Sequence, residues 1–211
     1  MDHTDEAIFE FAYRMALDDA IGQRAYISRG EGSKTKLRKL NEPKQVVKKY
    51  IEAIFNSDSQ PEFEETIAEV EKTFKQYLNG EDDGEFTFGN AQKLVNMTAK
   101  YMFIATFERP ELRRRFEKCH CPMDSIVVGE VIKQMKGNMP AEGPLVEKLQ
   151  RKYECRDKKL SKWTVYLKQP WSSMTEDDRE QYDLFQELVR YLCGVDDSKL
   201  SPIEFDFRTW Q

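Results

Sequence analysis

The segment AQKLVNMTAKYMFIATF, residues 91–107, constrains this chain more than any other stretch. Leu94, Val95, Met97, Tyr101, Met102, Ile104, Ala105 and Phe107 leave a helix here almost no polar face, so it has to be enclosed by other elements. Residues 90–107 are therefore expected to form the central, most buried helix of an all-α fold. The amides Asn90, Gln92 and Asn96 on that helix stand out, because a buried amide must be hydrogen-bonded. Either they build an internal polar network or, in the case of Asn96, hold a neighbouring loop.

The remaining helices follow from period and punctuation. Thr4 as cap, with Asp5 and Glu6 at the positive end of the dipole, opens a helix predicted to reach Ser28, with Ile8, Phe11, Ala12 and Met15 as its apolar stripe. Pro43 opens a second helix carrying Val46, Val47, Tyr50, Ile51, Ile54 and Phe55. A capping box at Ser59–Gln60–Pro61–Glu62 starts a third, with Phe63, Ile67, Val70, Phe74, Tyr77 and Leu78 inward and Gly80 as its stop. Pro110 starts a short helix that Pro122 ends, and Asp124 or one of its neighbours starts the next, with Ile126, Val127, Val131, Ile132 and Met135. After the loop GNMPAEGP a helix runs from about Pro144 to Tyr153, and Thr175 opens a long one bearing Tyr182, Phe185, Leu188, Val189 and Leu192. Trp163, Val165 and Leu167 alternate, as do Ile203, Phe205 and Phe207, which predicts at most one small strand pair near the C-terminus; Ser201 to Glu204 alternatively reads as a capping box. No repeat or composition shift divides the 211 residues, so a single globular multi-helix domain is expected over 1–211.

Composition narrows the function classes. No window supplies the roughly 18–20 apolar residues of a membrane span, and the acidic start MDHTDEAIFEFAYR is unlike a signal peptide, so a cytoplasmic protein without a membrane partner is expected. The four cysteines do not form a disulfide framework and are expected to be thiols. GxxxxGK[ST], GxGxxG and GxSxG are absent, which removes P-loop, dinucleotide and serine-hydrolase chemistry and leaves no cofactor to expect. A net charge of −5 disfavours general polyanion binding, yet residues 34–49 hold Lys34, Lys36, Arg38, Lys39, Lys44, Lys48 and Lys49 against Glu42 alone. That run is either a phosphate footprint or a solvated face.

The chemistry concentrates in RRRFEKCHCPMDS, residues 113–125. An imidazole exchanges protons near neutral pH and a guanidinium holds phosphate, so His120 with Arg113, Arg114 or Arg115 makes a candidate catalytic set that needs no metal. An arginine followed four to six residues later by histidine, next to a helix of an all-helical domain, resembles the motif of HEPN ribonucleases. The resemblance covers about eight residues and implies a metal-independent endonuclease acting on RNA, usually as a homodimer. It departs from the family's habit of a polar residue after the arginine if Arg115, followed by Phe116, is the one used.

Other readings of the same residues remain open. The arginines can be a solvated helix end, pairing with Glu108, Glu111 and Glu117, with His120 a hydrogen-bonded turn residue; the domain is then a non-enzymatic module that binds a protein partner. Cys119, His120 and Cys121 lack the second ligand pair of a zinc knot, so no metal site is expected. In the C-terminal third, Trp163 beside Lys158, Lys159 and Lys162 is a candidate platform for RNA bases, with a second hydrophobic cluster as the alternative. Arg14 with Asp18, and Asp19 with Gln23, sit at the spacing of helical surface pairs.

Overall fold

The computed structural model describes residues 1–21, 37–56, 63–77, 86–140, 142–153, 161–195 and 200–210. Among them are ten α-helices and no strand: α1 (His3–Ile21), α2 (Glu42–Asn56), α3 (Phe63–Tyr77), α4 (Phe88–Ala105), α5 (Pro110–Phe116), α6 (Ser125–Asn138), α7 (Pro144–Tyr153), α8 (Ser161–Leu167), α9 (Arg179–Val195) and α10 (Pro202–Thr209). Two 3-10 turns, Trp171–Ser173 and Glu176–Asp178, lead into α9. The all-α fold is as expected, with one hydrophobic core.

Helix α4 is the axis. Fifteen of its eighteen residues, from Phe88 to Phe103, are buried, and α1, α2, α3 and α5 pack on it directly. Its start is fixed by a capping box between Thr87 and Asn90. Gly89 follows because the Trp171 turn lies against it: an added Cβ would come within 1.6 Å of the Trp171 carbonyl oxygen, while the Gly89 N–H donates to Met174 O at 3.0 Å. Asn90 Nδ2 donates to Ala20 O at the end of α1, and Arg109, just beyond α4, reaches Asp5 at the start of α1.

Several expectations are corrected. Helix α1 is capped by Asp2, whose Oδ1 accepts the Asp5 N–H at 2.8 Å, and not by Thr4. Its buried stripe is Phe9, Ala12, Tyr13, Ala16, Leu17 and Ala20, while Phe11 is 64% exposed and Met15 is also outward. The alanines explain the choice: this face brings the α1 backbone close to α4, whereas Phe11 and Met15 lie outside it; Ile8, also expected inward, packs partly against the core. The strand pair does not form. Trp163 and Leu167 are buried four residues apart with Val165 exposed between them, which is helical spacing, and the Ser201–Glu204 box caps α10. Phe107 and Ile126, expected among the inward apolar positions of their helices, are exposed, while Phe103 and Val127 are buried. The predicted end of the first helix at Ser28, the Ser59–Glu62 box, Gly80 and Cys155 lie outside the described residues.

Candidate functional site

The residues between α5 and α6 hold the most demanding chemistry in the molecule. Residues 119–124 are all buried but not helical, so their backbone polar groups need partners from elsewhere. Two glutamines supply them. Gln186 of α9 clamps Cys121, accepting its N–H at 3.1 Å and donating to its carbonyl at 2.7 Å. Gln92 of α4 does the same for Met123, accepting at 3.3 Å and donating at 3.2 Å. A primary amide in this setting imitates a neighbouring strand. Asp124 then caps α6 by accepting the N–H groups of Ile126 and Val127, and its other oxygen meets Lys93 Nζ at 2.7 Å inside the core.

His120 is 8% exposed and lies against the Phe63 ring, with centroids 4.0 Å apart. Its Nδ1 is 2.8 Å from Tyr182 Oη and its Nε2 is 2.9 Å from an Arg190 guanidinium nitrogen. A guanidinium only donates, so Nε2 must accept and the proton must reside on Nδ1, donating to Tyr182. Asn96 Nδ2 donates to the same Tyr182 oxygen at 3.0 Å and to Gln92 Oε1 at 3.1 Å. Gln92 is oriented by the Met123 backbone, so the polarity of the whole chain from Met123 to Arg190 is set. Burial, and then the Arg190 charge, push the His120 pKa down to about 3, so the imidazole is neutral at physiological pH.

Arg190 itself is exposed, and the partner the structure gives it is this uncharged ring; among the described residues no carboxylate pairs with it. The guanidinium thus keeps its full charge at the surface while a buried network holds it in place. Asp183, also exposed and one turn away from Glu187 on α9, has its pKa raised by burial and by Glu64 against the pull of Arg179, Lys148 and Arg190.

The three arginines of the expected set are engaged elsewhere. Arg113 bonds Glu204 at 3.1 Å and lies over the rings of Phe103 and Phe107; Arg114 pairs with Glu111 at 3.3 Å; Arg115 donates to the Phe55 carbonyl. Both ring nitrogens of His120 are taken by Tyr182 and Arg190. Asn96 is placed at the centre of the network. Trp163 is wholly buried, so its ring is not offered to a base. Lys158 and Lys159 lie outside the described residues, as does the side chain of Lys162. The signal for Arg190 was weak in the sequence because a residue seventy positions from His120 shows no motif; Gln92 and Asn96 were legible as buried amides, whereas Gln186 looked like any polar position of an amphipathic helix.

At the three described cysteines burial disfavours the nucleophilic thiolate. Burial pushes Cys119 up to about 12 and Cys193 to about 11, and Cys121 is raised well above its usual range by burial and by Asp206 and Asp124. Among the described residues no group of three or more His, Cys, Asp and Glu is placed to hold a metal, and no helix is long and apolar enough to cross a membrane.

The basic run of residues 34–49 is largely answered from within. Lys48 meets Glu6 at 2.6 Å, Lys44 meets Glu10 at 2.9 Å and Arg38 meets Asp18 at 2.7 Å, so α1 neutralises much of what looked like a phosphate footprint. Lys34 and Lys36 lie outside the described residues. Compared with protein-family models, with curated proteins and with solved structures, the chain matches none.

Proposed function

We propose that the protein binds RNA phosphates, and cleaves RNA without a metal, at the Arg190–His120 pair. The reading keeps the chemistry that the HEPN-like resemblance implies, an imidazole with a guanidinium, but gives the phosphate contact to Arg190 in place of Arg113, Arg114 or Arg115. The observation that carries it is the bond between an exposed guanidinium and a neutral imidazole nitrogen. When the guanidinium turns outward to a phosphodiester, it releases the Nε2 lone pair beside the same phosphate; Nε2 takes the proton of the ribose 2′-hydroxyl as the 2′-oxygen bonds to phosphorus, and the bond to the 5′-oxygen breaks, that oxygen leaving with a proton from water. Tyr182 and Asn96 hold the ring so that the lone pair points to the surface. Buried polar networks of this size cost stability, which favours a use for this one beyond packing.

The test is incubation of mixed single-stranded RNA with the protein in EDTA. Arg190→Ala is the informative variant, because its side chain is exposed and its loss leaves the core intact. The expected outcome is at least about a hundredfold slower cleavage by Arg190→Ala and by His120→Ala, the scale of a missing acid–base or phosphate group. Equal RNA survival with and without the wild-type protein contradicts cleavage.

A second reading, a module that binds a protein partner or a second copy, rests on a different surface. Ile104, Phe107, Phe207 and Trp210 are exposed around the end of α4 and α10. Arg113 joins them, lying over Phe107 and bonded to Glu204, while Lys100 lies over Trp210 and pairs with Asp206. Sizing chromatography with light scattering checks self-association; a monomer at every concentration removes the homodimer.

A further inference from the structure

Between α1 and the segment that enters α2 lies an open cavity of about 690 Å³, within the size range of small-molecule sites. We propose that it binds an organic phosphate carrying a flat ring, of mononucleotide size. The inference concerns a separate site and does not rest on the Arg190–His120 centre.

Three features of the wall support it. The first is charge. Arg14, Arg38, Lys39 and Lys44 line the cavity against Glu10 alone; Lys44 is paired with Glu10 and Arg38 with Asp18, and among the described residues no carboxylate pairs with Arg14 or Lys39. Two uncommitted cations suit the two charges of a phosphomonoester. The second is an unanswered hydroxyl. Tyr13 lines the cavity, is only 4% exposed, and its Oη has no hydrogen-bond partner. A buried hydroxyl without a partner is costly, and since this one is closed off from solvent in the unliganded protein, a small turn of the ring toward the cavity is what lets a ligand oxygen satisfy it. The third is the apolar surface: Phe11 stands largely in solvent at the wall, a face on which a ring can stack.

Isothermal titration calorimetry of the full chain with adenosine 5′-monophosphate, adenosine and inorganic phosphate tests this. The expected result is saturable binding of the nucleotide, with adenosine and phosphate each about tenfold weaker or more, a difference of about 1.4 kcal/mol. Arg14→Gln and Tyr13→Phe each weaken the nucleotide about tenfold. Without ligand, Tyr13→Phe melts at the same temperature as the wild type, because its hydroxyl has no internal partner to lose. A short RNA with and without a 5′-phosphate tells the two sources of this chemistry apart: tighter binding of the phosphorylated RNA than of the nucleotide assigns the site to RNA ends, and weaker binding assigns it to free nucleotides. No saturable binding of the nucleotide, or undiminished binding by both variants, overturns the proposal, as does a lowered melting temperature of unliganded Tyr13→Phe.

Discussion

The protein uses ion pairs in two opposite ways. On the α1–α2 face, Glu6, Glu10 and Asp18 meet Lys48, Lys44 and Arg38 where both partners are half-exposed. Around α4, Lys93 meets Asp124 and Lys100 meets Asp206 with side chains less than 10% exposed. In the first set water already solvates both charges, so each pair contributes little. In the second, removing the charges from water costs more than a simple pair returns, and burial holds the Asp206 pKa up despite the adjoining lysine. The lesson is that buried charge here is a constraint on arrangement: it fixes where α6 and α10 sit on α4, and with them the segment that carries His120.

The largest expected effect breaks one buried pair. Asp124→Ala strands the Lys93 ammonium in the core and removes the cap of α6, so denaturant unfolding should show a loss of about 3–5 kcal/mol or more. Replacing both partners of the other pair, Lys100→Met with Asp206→Leu, should be close to neutral, since no charge is left behind. A large loss in that double variant would mean that the pairs stabilise the fold outright.

Next in size is the glutamine clamp. Gln186→Leu leaves the Cys121 N–H and carbonyl buried without partners, an expected loss of about 2–4 kcal/mol by the same unfolding measurement. The pH dependence of stability comes third. His120 binds a proton near pH 6.5 when unfolded but only near about 3 when folded, so between those values the unfolded state takes up more protons. Stability is therefore full above about 6.5 and falls as pH drops toward 3, at up to about 1.4 kcal/mol per pH unit. Titrating stability of wild type against His120→Asn should show a shallower acid limb in the variant. Smallest is the surface set: Glu10→Gln should change stability by less than about 1 kcal/mol, and the difference should shrink further in high salt.

How much of this was legible in the sequence depends on the range of the interaction. Helix positions followed from local rules, because caps and apolar spacing act within a few residues: Pro43 and Asp124 appear where expected, and of the two readings of residues 201–207 the capping box is the one that forms, whereas Thr175 caps a 3-10 turn ahead of α9 and not α9 itself. The face of α1 did not, since it depends on which stripe α4 can approach. Alternation in TrpThrValTyrLeu, residues 163–167, suggested a strand because three apolar positions cannot separate period 2 from a helix turn when the middle one is exposed. For the site, His120 and Asn96 were singled out from residue type alone. Tyr182, Gln186 and Arg190 were not assigned to it, as one stripe of a regular amphipathic helix gives no sign of facing a buried polar segment across the core. The consecutive arginines drew attention by adjacency, but adjacent helical residues point apart, and each found a different neighbour.

The most direct measurement is nitrogen-15 NMR of the imidazoles. The chain has two histidines, so His3→Gln leaves His120 alone in the spectrum. The expected result is a neutral ring with its proton on Nδ1 and an unprotonated Nε2, unchanged between about pH 8 and 5, with Nε2 shifting on addition of Arg190→Ala as its donor is lost. A ring that titrates near the ordinary value of about 6.5, or one that carries its proton on Nε2, would contradict the Arg190–His120–Tyr182 arrangement on which the proposed chemistry rests.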